Sequence, residues 1–141
     1  MSITTEHAGR SYPAAPAYRV SSAKIAEFAA ALGDTNPAYG GDNAIAPPTF
    51  AAVIAAQAWG ALFDDPDLGL ALHRTMHTDQ TFEFARPLCD GDDVVAKLSI
   101  ERVRNRGTLD MITVVVDLAV DGSTVCTARS TLMHTQEAAD A

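Results

Sequence analysis

The spacing of hydrophobic residues changes period once along the chain. Between Ser21 and Leu32 it is helical: Ile25, Phe28, Ala29 and Leu32 fall on one face. Ser21 or Ser22 can cap that helix and Gly33 can stop it. The stretch from Gly33 to Asn43 is rich in Gly, Pro, Asn and Asp and predicts a loop without regular structure. Pro47-Pro48-Thr49 then opens a second helix, Thr49 to about Phe63, because proline suits a first helical turn. This helix is apolar on nearly every side, which predicts that it is enclosed. It would be about 22 Å long at ~1.5 Å per residue. Its alanines would let other backbone come close.

From Leu72 onward the period is two. Leu72 to Phe84 predicts a strand, broken near His77 to Gln80. Arg86-Pro87 and Asp90-Gly91-Asp92 make a connection. Val94, Ala96, Leu98 and Ile100 then alternate with Lys97, Ser99 and Glu101. Asn105-Arg106-Gly107 predicts a turn, Ile112 to Leu118 alternate again, and Asp121-Gly122 is a hairpin signal. Thr124 to Met133 is the last strand, with small Thr124, Cys126, Ala128 and Ser130 expected to lie against the helix. A short strand is expected near Tyr18 to Val20. The sum is an α+β hot-dog arrangement: an antiparallel sheet wrapped around one long central helix. Its open edge is expected to pair with a second copy or a relative, giving a dimer. Residues 1–141 read as one domain, with 1–8 and 135–141 flexible.

Composition narrows the possible functions. With 141 residues one domain is the prior, and 48% hydrophobic against 20% charged residues excludes global disorder. The net charge of −8 repels phosphate backbones and anionic leaflets, so neither nucleic acid nor a membrane is an expected partner. The apolar run Phe50 to Phe63 falls short of the ~20 residues a bilayer needs. Met1 to Tyr18 holds no apolar run, so no signal peptide is expected. Cys89 and Cys126 then read as reduced thiols of a cytoplasmic protein.

Three segments carry a resemblance: Gly33-Asp34-Thr35-Asn36-Pro37, Ile45-Ala46-Pro47-Pro48-Thr49-Phe50, and Asp79-Gln80-Thr81-Phe82-Glu83-Phe84-Ala85-Arg86-Pro87 followed by Gly91-Asp92. In this order they resemble the MaoC-like hot-dog dehydratases and hydratases, over roughly Gly9 to Leu132. The Ala-Pro-Pro-Thr-Phe form looks most like the N-terminal, non-catalytic branch, which includes the A-type subunit of actinobacterial (3R)-hydroxyacyl-ACP dehydratases. Dehydrating a 3-hydroxyacyl thioester needs a base, an acid and a donor for the enolate oxygen. In active members the resemblance implies an Asp-x-Asn-Pro-x-His motif, whose Asp and His move the protons, and a glycine amide opening the central helix. Here the Asp is Asp34, but Tyr39 stands in the His position. A tyrosine titrates near ~10 and is a poor shuttle at neutral pH. Pro47-Pro48 replaces the glycine region and offers no N–H, leaving the amides of Thr49 and Phe50. Gly40 to Ile45 is shorter than in that branch, so a helical flap over the tunnel mouth is expected to be missing.

The resemblance therefore implies a chain without an intact catalytic set. It would shape an acyl tunnel beside a catalytic MaoC-like subunit and receive an acyl-ACP or acyl-CoA thioester. The acyl chain would run past Phe50, Val53 and Ile54, and the thioester near Asp34, Asn36, Tyr39 and Thr49. The alternatives are a homodimeric hydratase or thioesterase using Asp34 and His77, and a non-enzymatic acyl-thioester binder. Each residue also has a plainer reading. Asp34 and Asn36 can shape a turn, Tyr39 can pack, and His77 can be a hydrogen-bonded strand residue. His73 and His134 read as surface strand positions and His7 as part of a loose terminus. The run Asp64-Asp65-Pro66-Asp67 reads as a solvated turn, and Trp59 and Phe63 as core or interface. Arg74, Arg102, Arg104 and Arg106 are candidates for carrier phosphates, with plain exposed charge as the default. No cofactor or metal is expected, since no two histidines have ligand spacing.

Overall fold

Strands of period two must bury one face, and here they bury it on the apolar helix. The computed structural model describes residues 1–138. The elements are β1 (Tyr18–Arg19), α1 (Ser22–Leu32), α2 (Ala51–Ala58), α3 (Gly60–Asp64), β2 (Thr75–Phe84), β3 (Asp93–Arg106), β4 (Leu109–Val120) and β5 (Ser123–Thr135). One antiparallel five-stranded sheet has the order β1-β3-β4-β5-β2, so β2 forms one edge. The inward residues Ala96, Leu98, Ile100, Ile112, Val114, Val116, Leu118, Ala128 and Leu132 join Ile54, Ala55 and Leu62 in one core. The arrangement is the α+β hot-dog fold.

Local chemistry sets the ends of α1. The Ser21 side chain accepts from the Lys24 N–H, and Gly33 closes the helix in the left-handed region at φ 69°. Phe50, at the start of the central helix, takes Phe28 and Tyr18 edge-on, at 5.3 and 6.1 Å between centroids. The predicted loop after Gly33 contains one short 3₁₀ turn, Pro37–Tyr39, started by the Asn36 side chain accepting from the Ala38 N–H.

The central helix departs from the sequence expectation in two ways. It opens with a 3₁₀ turn, Pro48–Phe50, and is interrupted at Trp59, so α2 and α3 are separate segments. Only one side of it is enclosed. Ala51, Ile54, Ala55, Ala58 and Leu62 are buried, while Val53, Ala56, Gln57 and Gly60, one helical stripe, face outward. The all-round apolar composition exceeds what one sheet can cover.

Three bulges set the faces of the strands. Pairing slips between His77 and Asp79, between Ile100 and Arg102, and between Leu118 and Ala119. The second lets Ile100 and Val103 both point inward, and Glu101 turns out to grip Arg129 at 2.9 and 3.1 Å. The third leaves Thr124 exposed rather than against the helix, with Val125 and Cys126 both buried in its place. Leu72, expected in a strand, is exposed in a 3₁₀ turn, Leu72–Arg74. Asn105 and Arg106 remain in β3, and the turn is made at Gly107-Thr108.

Residues expected to be loose at the amino-terminal end, and Gln136 near the other, make tertiary contacts. Ile3 is 1% exposed, and the Gly9 N–H donates to the Ile100 carbonyl. At the other end the Gln136 N–H donates to Thr108, while the remainder of the expected flexible tail, 139–141, lies outside the described residues. His134 is not a surface residue either. It is 2% exposed and Asp110 is 1% exposed, with Nδ1 3.2 Å from Asp110 Oδ2. The Ala71 N–H donates to His134 Nε2, which fixes Nδ1 as the protonated nitrogen. Asn105 and Gln136 both donate to Asp110 Oδ1, and Asn105 also donates to the Ile3 carbonyl. One carboxylate thus joins the amino-terminal segment, the β2 approach and the β3–β4 hairpin. Asp110→Ala would strand these donors and is expected to cost about 1–3 kcal/mol. The check is the denaturant midpoint at unchanged slope.

Candidate functional site

The loop after α1 folds back on itself through its own polar side chains. Asp34 Oδ1 accepts from the Asn36 N–H at 3.0 Å, and Asn36 Oδ1 accepts from the Ala38 N–H at 3.0 Å. These are Asx turns, in which short polar side chains satisfy their own backbone. Both residues are exposed, and Tyr39 is half-buried, packed against the core. The loop is then anchored: the Ile45 N–H donates to Ala38, the Ala46 N–H to Leu88, and the Asp90 N–H to Ala44.

Between this loop and the segment after β2 lies a cleft of about 350 Å³, lined by Asn36, Tyr39, Ile45, Pro48, Phe84 and Pro87, among others. That is within the range of small-ligand pockets. Arg86 forms part of its wall. Its guanidinium donates to both Asp92 oxygens, at 2.8 and 3.2 Å, and Asp92 Oδ2 also accepts from the Cys89 N–H. Burial alone would raise the Asp92 pKa. The guanidinium and the Cys89 amide outweigh burial and hold it below the ordinary 3.8. The Arg86–Asp92 latch therefore fixes the far lip of the cleft. Its residues lay within the segments that carried the resemblance, but their side-chain partnership had no signal of its own in the spacing.

Of the predicted residues, Asn36 and Tyr39 meet in this cleft. Phe50 and Ile54 are buried in the core, while Thr49 is exposed and Val53 faces outward from α2. The Phe50 N–H is taken by the Pro47 carbonyl, so it does not offer the free amide expected of it. His77 lies on β2, seven residues before Phe84 and so about 23 Å away at ~3.3 Å per residue. Its ring meets Trp59 edge-on at 4.8 Å, and Nε2 is 3.1 Å from the Asp79 carbonyl. Within one chain, Asp34 and His77 are not brought together.

The other candidates have structural partners. Asp65 accepts from the Tyr12 hydroxyl at 2.6 Å and from Arg10 at 2.8 Å, and Arg10 also reaches Asp67 at 3.2 Å. The acidic run is thus an ion-paired helix end rather than a purely solvated turn. The Tyr12 hydroxyl, then Arg10 and the Asp67 N–H, hold the Asp65 carboxyl below its usual value. Cys89 and Cys126 are free thiols, and burial pushes Cys126 up to about 11, too high to form a nucleophile readily.

Residues 6–128 match the FAS1-like dehydratase domain region. The chain is 53% identical to a UPF0336 protein of Cutibacterium acnes, over 96% of each chain. It is 37% identical to a UPF0336 protein of Saccharopolyspora erythraea, over 99% of this chain and 96% of that one. The chain belongs to the FAS1-like dehydratase-domain family, a MaoC-like hot-dog family. Among solved structures, it superposes on the C-terminally truncated HadBC (3R)-hydroxyacyl-ACP dehydratase complex of Mycobacterium tuberculosis with a TM-score of 0.80, at 27% identity, covering 93% of this chain and 99% of that one. The R-hydratase PhaJ1 of Pseudomonas aeruginosa shares the fold, with a TM-score of 0.67, at 19% identity, covering 95% and 88%. Among the described residues, no helix of this family member is long and apolar enough to cross a membrane.

The latch makes a pH prediction for the family member. A carboxylate held below its usual pKa stabilises the fold fully above that usual value, and the contribution is lost as pH falls through the depressed value. Asp92→Asn is expected to cost about 1–2 kcal/mol at neutral pH. Its stability should also fall less steeply than that of the parent below about pH 4. Chemical denaturation repeated across the acid range checks both.

Proposed function

We propose that this chain is the accessory, non-catalytic subunit of a (3R)-hydroxyacyl thioester dehydratase. It would form part of the acyl tunnel beside a MaoC-like subunit that carries an intact Asp/His pair. The observation that carries the reading is what lines the cleft: a phenol, Tyr39, occupies the imidazole position, while Asp34 lies outside the lining with Oδ1 accepting from its own backbone turn. A dehydratase must remove a proton beside the carbonyl and deliver one to the departing hydroxyl, each group within about 3 Å of its target. Within this chain no histidine stands beside Asp34 to share that work, His77 being about 23 Å along β2 from Phe84 by the strand rise.

Two uncovered surfaces support a partner. β2 is a ten-residue edge strand, and the stripe Val53, Ala56, Gln57 and Gly60 on the adjoining helix faces outward. A partner hot-dog that continues the sheet antiparallel at β2 would cover both. It would bring its own far end beside this chain's Phe84 cleft and its own reactive loop beside the Thr75 end. The acyl chain would run along Val53 at the seam. Phe50 and Ile54 would shape that wall from beneath, and the cleft at Asn36 and Tyr39 would lie at the end of the seam away from the reacting thioester. The relative named as a (3R)-hydroxyacyl-ACP dehydratase complex supports both the substrate class and the heteromeric assembly.

The test is hydration of an enoyl thioester by each purified chain and by their mixture. Activity is expected only in the mixture, with this chain alone lower by about 10²–10⁴-fold or more, the usual worth of positioned acid–base groups. Turnover by this chain alone at the mixture's rate overturns the proposal. Ala56→Arg is expected to leave the monomer fold intact and to abolish co-elution with the catalytic subunit. Tyr39→Phe in the mixture is expected to change KM, with kcat altered less than about tenfold.

A further inference from the structure

The edge strand β2 turns five side chains to the helix side of the sheet. Thr75, His77, Gln80, Phe82 and Phe84 pair with His134, Leu132, Ser130, Ala128 and Cys126, all of them buried. The slip between His77 and Asp79 moves this series from odd to even positions. Asp79 and Glu83 thereby fall on the outer face, and the inner one carries no carboxylate. Its polarity instead changes along its length. Phe82 and Phe84 lie together at one end, 6.0 Å between ring centroids, where Phe84 and Pro48 line one cleft. Thr75, His77 and Gln80 make the other end, where the His77 ring meets Trp59 at the close of α2. The helix repeats the gradient, with outward Val53 nearer its start and outward Gln57 nearer its end. The strip is thus apolar at the Phe84 end and hydrogen-bonding at the Thr75 end. An acyl thioester has the same order of parts: a hydrocarbon tail, then a sulfur whose cysteamine arm carries an amide.

Thr75 and Gln80 are engaged by their own chain. The Thr75 hydroxyl donates to the Ala71 carbonyl at 2.8 Å. Gln80 accepts from the Ser130 hydroxyl and donates to the Thr81 carbonyl. His77 keeps one ring nitrogen free. Its Nε2 faces the Asp79 carbonyl, which can only accept, so the neutral ring carries its proton there and leaves Nδ1 as an acceptor. Among the described residues Nδ1 has no hydrogen-bond partner, and the side chain is exposed. The Asp79 carbonyl and the edge-on Trp59 fix the ring from two sides, so the acceptor is preorganised.

We propose that His77 is a specificity residue that this chain contributes to its partner's active site: Nδ1 accepts a hydrogen bond from the amide N–H of the thioester's cysteamine arm. The inference rests on the proposed function, in which edge pairing sets the Thr75 end of β2 beside the catalytic subunit's reactive loop. His77 is two residues from that end, about 6.6 Å along the strand, and the amide is a few bonds from the reacting sulfur. A thioester that lacks the amide leaves the acceptor unpaired, which is the basis of discrimination. Proton transfer stays with the catalytic subunit.

The test uses the assembled pair at about pH 8, where imidazoles are neutral. Its substrates are enoyl thioesters of N-acetylcysteamine and of propanethiol, which differ in the amide. His77→Ala is expected to raise KM for the first about three- to tenfold with kcat little changed, and to leave the second unaltered. His77→Asn keeps an acceptor at the Nδ1 position and is expected to stay within about threefold of the parent, whereas His77→Gln should behave as the alanine variant. Coenzyme A and carrier-bound forms of the acyl group both contain this amide and are expected to lose equally. Nitrogen-15 NMR of the pair should show the His77 Nδ1 resonance moving on addition of a saturated N-acetylcysteamine thioester and not of the propanethiol one. Equal losses with both small thioesters, loss with one carrier form alone, asparagine no better than alanine, or an unmoved Nδ1 resonance overturns the proposal. A kcat lower by about 10²-fold or more overturns it too, because His77 would then be an acid–base group. Co-elution with the catalytic subunit shows that each variant folds and assembles, and the parent's spectrum decides the matter where a variant does not. A parent pair that turns over no thioester refutes the accessory-subunit reading instead, while the Nδ1 resonance still reads the contact.

Discussion

Everything in this fold depends on how closely a helix can lie against a sheet. Ala51, Ala55 and Ala58 present almost no side chain, and the facing strands answer with Ala96, Cys126, Ala128 and Ser130. Small against small lets backbones approach, and the larger Ile54, Leu98, Ile100 and Leu118 fill the space between at interior density. The same economy of side chains explains the uncovered stripe. A helix this apolar and this thin exposes little area when one face is left open, yet the open face remains flat enough for a second surface to reach it.

The architecture was legible because two periodicities carry it. The alternation in β3 and β4 survives folding nearly unchanged, and of the α1 face Ile25 and Ala29 are buried while Leu32 is exposed. What stayed hidden depends on partners far apart in sequence. His134 reads as exposed because nothing near it says that Asp110 and the Ala71 amide will close around it. Ile3 sits among polar neighbours and still joins the core. Thr124 follows the alternation of its strand, but a bulge moves it to the other side. At the candidate site, the vacancy at Tyr39 was readable from residue type alone. The Asx turn that occupies Asp34 and the latch that seats Arg86 needed geometry.

Polarity is divided between the two ends of the sheet. At the Phe84 end, Arg86 and Asp92 stiffen the lip of a cleft otherwise lined by apolar groups, a phenol and the Asn36 amide. At the Thr75 end, a buried carboxylate is fully satisfied by His134, Asn105 and Gln136. The first is partly open to solvent and the second is sealed. A sealed, satisfied network specifies one arrangement of the strands around it, because any slip would leave several buried groups unpaired. An open latch leaves its site accessible.

The contact between Asn105 and the Ile3 carbonyl spans 102 residues. A tie of such span closes a very large loop, so its entropic cost falls on the strands between, which must already hold the hairpin in place for the bond to be favourable.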